Sequence, residues 1–227
     1  MKTIVLTGVN RGLGKALSEK LCDKPFTKDK KIFISRRKSP DIISNDSIEN
    51  LFFDFSEEYI SLEKISLSRQ SNKVVFVNNA GVIEPISKVL DMPLNEIDTS
   101  MNVNFKSPLK LAKYLTSETK NLGVEFLIIN ITTGAATKPI EGWLAYCTSK
   151  AAVKIALDVL EIENSHVKVI HFDPGVMDTD MQSIIRSSPK QKMPNVELFQ
   201  DFKKNSQLKS TADVAKIICD LIKKSPR

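Results

Sequence analysis

Glycine is scarce in this chain, with 8 in 227 residues, roughly half of average usage. So sparing a sequence places glycine where backbone geometry requires it, and Gly8, Gly12 and Gly14 fall together. Cysteine is rare too. Cys22, Cys147 and Cys219 are odd in number and far apart, which excludes a secreted disulfide framework and implies a reducing, cytoplasmic setting. With only His166 and His171 beside them, a structural zinc site has almost no ligands, and no metal is expected. No apolar run approaches the ~20 residues of a bilayer span. Ile4-Val5-Leu6 is too short for a signal-peptide core and reads as a buried strand, so no membrane partner is expected. The net charge of +6 comes from lysines spread along the chain without interleaved aromatics. That pattern describes a solvated basic surface suited to an anionic ligand, not a nucleic-acid face.

What remains is ordinary globular composition, 41% hydrophobic and 26% charged. Folding such a chain buries on the order of 70% of its surface, enough for one core without staples. No linker or repeat divides it, so residues 1–227 read as a single domain. Candidate strands are Thr3–Thr7, Lys31–Ser35, Asn50–Asp54, Lys73–Asn78, Val124–Asn130 and His166–Phe172. Continuous apolar runs such as Val74-Val75-Phe76-Val77 mark strands covered on both faces. Helical spacing is read near Gly12–Asp23, Glu57–Gln70, Leu94–Asn121 and Trp143–Asn164. Strand–helix alternation predicts a doubly wound parallel α/β sheet of Rossmann type. Residues 178–209 break the rhythm and read as an excursion covering the substrate. Ser210-Thr211-Ala212-Asp213 then caps a final helix, and no seventh strand is expected after it.

Thr7-Gly8-Val9-Asn10-Arg11-Gly12-Leu13-Gly14 links the first strand to the first helix. The glycines permit a tight turn and let backbone amides approach a pyrophosphate at the helix's positive end. The second strand ends in Ser35-Arg36-Arg37, with no acid where one would bind a ribose 2′-hydroxyl. Arginine there, together with Arg11, suits a 2′-phosphate, which favours NADP(H) over NAD(H). Tyr146 and Lys150 stand four apart at a helix start, on one face. A neighbouring cation lowers a phenol pKa toward useful acid–base chemistry.

Four ordered motifs now stand on matching elements: Thr7–Gly14, Asn78-Asn79-Ala80-Gly81, Tyr146 to Lys150, and Pro174-Gly175 after the sixth strand. In these the sequence resembles the short-chain dehydrogenase/reductase family over nearly its full length. The resemblance implies that Tyr146 is the general acid of carbonyl reduction. It gives Lys150 the tasks of tuning that phenol and holding the nicotinamide ribose. Thr133 occupies the position of the family's catalytic serine and keeps its hydroxyl, and Asn104 matches the helix asparagine that holds a proton-relay water. Cofactor contacts implied are Gly8, Asn10, Arg11, Gly12, Leu13, Gly14, Arg36, Asp54, Phe55, Asn79, Ala80, Gly81, Pro174, Gly175, Val176 and Thr179, with Tyr146 and Lys150.

A narrower similarity lies in Gly142-Trp143-Leu144-Ala145-Tyr146-Cys147 and in Pro174 through Gln182. These segments look like the sepiapterin reductase and benzil reductase branch. The branch implies an NADPH-dependent reductase of vicinal dicarbonyls or pterin ketones. Trp143, Met177 and Met181 are its candidate substrate contacts, and their apolar character favours an aromatic diketone over a pterin. Pterin ketone reduction and a non-catalytic NADP(H) sensor are the alternatives. The resemblance further implies a homodimer through the helices read at Leu94–Asn121 and Trp143–Asn164.

Overall fold

A computed structural model describes residues 1–38 and 45–224. Six strands form one parallel sheet: β1 (Lys2–Thr7), β2 (Lys30–Ser35), β3 (Ile48–Phe52), β4 (Lys73–Asn78), β5 (Glu125–Ile131) and β6 (Val167–Phe172). Their spatial order is β3-β2-β1-β4-β5-β6. The order reverses direction between β1 and β4, the place where open α/β sheets bind ligands at the carboxyl ends of their strands. The expected doubly wound parallel sheet is therefore observed, with six strands among the described residues.

Strand alternation separates two cores. Ile4, Leu6, Val75, Val77, Leu127 and Ile129 face one side, against helices α1 (Gly12–Cys22) and α7 (Thr211–Lys224). Val5, Val74, Phe76, Phe126 and Ile128 face the other, against α3 (Ser107–Leu122) and α4 (Leu144–Glu163). Every residue of β4 is buried. A side chain moved from water into such a layer contributes about 1.5–3 kcal/mol, so the central strands anchor the fold.

Two expected elements differ. No helix forms over Glu57–Gln70; only a single turn at Leu62–Lys64 is helical. Ile60, Ile65 and Leu67 pack into the second core from an otherwise irregular chain. The carbonyls of Glu58, Ile65 and Ser66 accept from Lys110, the Tyr114 hydroxyl and Lys30. Serines here compete locally as well, since Ser68 Oγ accepts from the Gln70 amide at 3.3 Å. The strand expected at Asn50–Asp54 lies two residues earlier, at Ile48–Phe52.

The helical run expected from Leu94 to Asn121 is α2 (Leu94–Met101), a wide π turn at Asn102–Lys106, and then α3. Pro108 explains the break. It has no N–H for the Asn104 carbonyl, and its ring crowds that carbonyl. The Ser107 amide reaches back five residues to Asn102. Such widened turns recur at functional sites.

The final helix begins as expected, with the Asp213 amide donating to Ser210 Oγ at 3.3 Å. Before it, the segment 178–209 carries two short helices, α5 (Asp180–Arg186) and α6 (Val196–Lys204).

Candidate active site

The turn after β1 is held to the turn after β4 by reciprocal hydrogen bonds. Thr7 Oγ1 accepts from the Asn79 amide at 3.1 Å and the Ala80 amide at 3.0 Å. Asn79 Nδ2 donates back to the Thr7 carbonyl at 2.9 Å. Gly14 faces this junction so closely that a Cβ there would lie 2.0 Å from the Gly8 oxygen and 2.6 Å from Asn79 Nδ2. Gly8 sits at φ +77° and Gly12 at φ +55°, the left-handed region that glycine tolerates. A Cβ on Gly12 would meet only the Thr179 side chain, at 3.4 Å. The glycine turn, the Asn79-Ala80-Gly81 turn and Thr179 thus surround one concavity at the start of α1.

The connection after β2 is tied to the same turn. Asn10 Nδ2 and Ser35 Oγ both donate to the Arg37 carbonyl, at 2.8 and 3.0 Å. That places Arg36 and Arg37 beside the glycine turn. Burial works against the Asp54 carboxylate, but hydrogen bonds from Ser56 and the charges of Arg36 and Arg37 hold its pKa below the usual range. Arg11 goes elsewhere. Its Nη1 pairs with Asp180 at 3.4 Å, across the opening and toward α5, rather than joining Arg36. The Phe55 ring is buried in the second core, so its side chain does not reach the concavity.

The chemistry-bearing residues converge at Gly81. A Cβ on Gly81 would lie 3.2 Å from Asn104 Oδ1 and 3.6 Å from Lys150 Nζ. The Asn104 side chain accepts from the Val82 amide and donates to the Val82 carbonyl, each at 2.9 Å. Its amide is also within reach of Ser149 Oγ at 3.1 Å. This side chain therefore staples the turn after β4 to the π turn and to α4. Lys150 Nζ donates to the Ile131 carbonyl at the end of β5, at 3.1 Å, and lies 5.9 Å from the centre of the Tyr146 ring. Thr133 caps the short turn 134–136, accepting from the Ala135 amide, and Ala135 packs in one cluster with Tyr146.

Burial sets the protonation states. It pushes the Tyr146 phenol well above its ordinary value, with Asp173 and Cys147 adding to the effect. The sequence reading anticipates a phenol lowered by Lys150; in the ligand-free structure desolvation raises it instead. Burial also lowers Lys150, to about 8. Between that value and the ordinary lysine range, the unfolded chain binds a proton that the folded one does not, so stability rises with pH. The window closes at the ordinary lysine value of about 10.4, and the contribution of Tyr146, present in both proteins compared, cancels. Ligand-free protein is therefore expected to gain stability from about pH 8 to about pH 10 relative to Lys150→Met, by at most ~1.4 kcal/mol per pH unit. Denaturant melts of both proteins check this, and parallel pH dependences would refute it.

Above Tyr146 lies a third, apolar cluster. Trp143 packs edge-on to the Tyr146 ring with centroids 5.6 Å apart, and Phe199 of α6 lies 5.2 Å from Trp143. Ile83, Ile86, Ile185 and Met193 complete it, with Met181 at its margin. Trp143 and Met181 thus join Tyr146, whereas Met177 packs against the first core and pairs with Lys209. Ile83 and Ile86 went unrecognised in the sequence; their signal is their place directly after Gly81. Pro174, Gly175 and Val176 follow β6, where a Cβ on Gly175 would meet Lys209 Nζ at 3.1 Å.

The short chain dehydrogenase family profile matches residues 2–190. A benzil reductase ((S)-benzoin forming) of Bacillus cereus is 30% identical over 98% of this chain and 94% of its own length. A sepiapterin reductase of Xenopus laevis is 27% identical over 79% of this chain and 75% of its own. Among solved structures, a short-chain dehydrogenase/reductase of Saccharomyces cerevisiae superposes with a TM-score of 0.79 at 26% identity. That match covers 93% of this chain and 86% of the yeast protein.

Proposed function

This chain belongs to the short-chain dehydrogenase family, and from that premise we propose that it is an NADPH-dependent reductase of apolar vicinal diketones, with Tyr146 as general acid. The observation that carries the reading is a buried Tyr146 standing between Lys150 and an apolar cluster. The glycine turn with its left-handed Gly8 and Gly12 fits a pyrophosphate, and Arg36 and Arg37 fit a 2′-phosphate. Thr179, Asn79, Ala80, Gly81 and Lys150 would hold the remainder of the dinucleotide. Bound there, NADPH supplies the hydride. Tyr146 donates its proton to the carbonyl oxygen, and the Lys150 ammonium favours the phenolate left behind. Thr133 orients that oxygen through its hydroxyl. Asn104 fixes the turn at Gly81 against α4, keeping Tyr146 and Lys150 in register with the cofactor site.

Two features support a diketone over a pterin. The cluster above Tyr146 offers apolar walls, and the relative named as a benzil reductase aligns over nearly the whole chain. The reading takes residues 1–227 as one domain with 178–209 as its cover, working in the cytoplasm; no helix among the described residues is long and apolar enough to cross a membrane. It includes a homodimer. Ile155, Val159 and Ile162 line one face of α4 at helical spacing and are 61%, 45% and 84% exposed, an apolar stripe that a two-fold copy would cover. Sedimentation checks the dimer; a monomer at micromolar concentration refutes it.

Cofactor oxidation with an aryl diketone, an aryl monoketone and a pterin ketone tests the activity. Diketone turnover is expected to exceed the others, and a pterin preference would replace the reading. The cofactor assignment is tested by the double substitution Arg36→Ala, Arg37→Ala. Two charge-assisted contacts to a 2′-phosphate contribute about 1.5–3 kcal/mol each. NADPH affinity is therefore expected to fall by about 10²-fold or more, while NADH affinity changes less than about threefold. Equal losses for both cofactors would refute a 2′-phosphate site.

A further inference from the structure

Trp143 is 4% exposed, yet its indole Nε1 has no hydrogen-bond partner. Buried indole N–H groups ordinarily find an acceptor, and several contacts hold this one in place. The Trp143 amide donates to the Ile140 carbonyl at 3.1 Å, and its carbonyl accepts from Cys147 at 2.8 Å. Its backbone also pairs with Ser87. The preceding Gly142 sits at φ +85°, and a Cβ there would be 2.4 Å from the Lys192 oxygen. Tyr146 and Phe199 clamp the ring itself. The side chain therefore has little freedom to turn its N–H toward solvent.

The Trp143 N–H and the Tyr146 hydroxyl stand one turn apart at the start of α4, with the Thr133 hydroxyl on the neighbouring turn. Thr132 Oγ1 and Arg186 Nη1 are further buried donors without a partner; Asp178 lies 3.6 Å from Arg186 Nη2, and Lys203 also pairs with that acid. We propose that Trp143 Nε1–H donates a hydrogen bond to the second oxygen of a vicinal dicarbonyl while Tyr146 serves the oxygen being reduced. This deepens the reductase reading and rests on it. A site that hydrogen-bonds a substrate oxygen discriminates strongly against the analogue lacking it, because its own buried donor is then left unpaired.

The test pairs an aryl vicinal diketone with the monoketone in which the second carbonyl is a methylene. Trp143→Phe keeps an aromatic ring and removes the N–H. It is expected to lower the diketone-to-monoketone ratio of kcat/KM by about 10- to 100-fold, whatever common loss the altered packing on Tyr146 brings. Equal losses would mean that the indole only packs, and no loss would mean that it makes no such bond; either overturns the proposal. A second readout does not depend on turnover. Trp143 is the single tryptophan of the chain, so the indole band in ultraviolet resonance Raman spectra that reports N–H hydrogen bonding reads this site alone. In Tyr146→Phe protein, adding the diketone is expected to shift that band toward a stronger hydrogen bond, and the monoketone is expected to leave it in place. An unshifted band overturns the proposal. A wild-type protein that reduces no carbonyl while the band shifts refutes the reductase reading and leaves the indole's role standing.

Discussion

Tyr146→Phe is expected to reduce kcat for ketone reduction by about 10²–10⁴-fold, the usual contribution of a positioned general acid. The loss is expected in kcat rather than in folding. Phenylalanine keeps the ring that packs edge-on against Trp143, and the position lies in an apolar cluster. Burial raises the phenol's pKa in the ligand-free chain, and the proposed role as proton donor is what this variant tests. A variant melting at the wild-type temperature but slowed a hundredfold or more matches this account. Activity within about threefold of wild type would show that water or Thr133 delivers the proton.

Gly14→Ala is expected to be the most damaging single methyl group in the chain. Its Cβ would stand 2.0 Å from the Gly8 oxygen and 2.8 Å from the Gly8 carbonyl carbon, both backbone atoms that no rotamer change can move. The Gly8 amide is itself bonded to the Ile34 carbonyl at 2.8 Å, so relief requires moving the glycine turn away from β2. Overpacking of this severity costs about 3 kcal/mol or more, equivalent to a fall of roughly 6–12 °C in Tm for a chain of this size. Dinucleotide affinity is expected to fall at least about tenfold with it. Gly134→Ala is the control. Nothing lies within 4 Å of its Cβ position, and a change within about 0.5 kcal/mol is expected. Calorimetry and cofactor titration of both variants decide the matter, and a Gly14→Ala protein that binds cofactor normally would contradict the described turn.

Much of this architecture was legible because the signals are periodic or sterically forced. Alternation in Val74-Val75-Phe76-Val77 assigns each residue to one of two cores, and the structure sends Val75 and Val77 one way and Val74 and Phe76 the other. The glycine turn was legible because few other residues fit its geometry. Segment 57–70 was misread because Ile60, Ile65 and Leu67 satisfy a helical spacing loosely. What decides their conformation is distant: Lys30, Lys110 and Tyr114 supply the donors that a helix would have supplied itself. Arg11 reads as approaching the region of Arg36 from its place inside the glycine turn, but the acid it pairs with, Asp180, is contributed by a helix far along the chain. The π turn had a visible cause in Pro108, whose consequence for Asn104 appears only once the helix is built around it. Phe55 was assigned by resemblance alone, and the demand of the second core for an aromatic ring took its side chain.

The central claim is that this chain moves a hydride from NADPH to a ketone carbon while Tyr146 supplies the proton. Its most direct test is label transfer: NADPH deuterated at the transferable C4 position, an aryl vicinal diketone, and mass analysis of the hydroxyketone formed. The account predicts deuterium at the new carbinol carbon in the wild-type product, and at least a hundredfold less product from Tyr146→Phe over the same time. A hydroxyketone without deuterium, or equal product from both proteins, would contradict it.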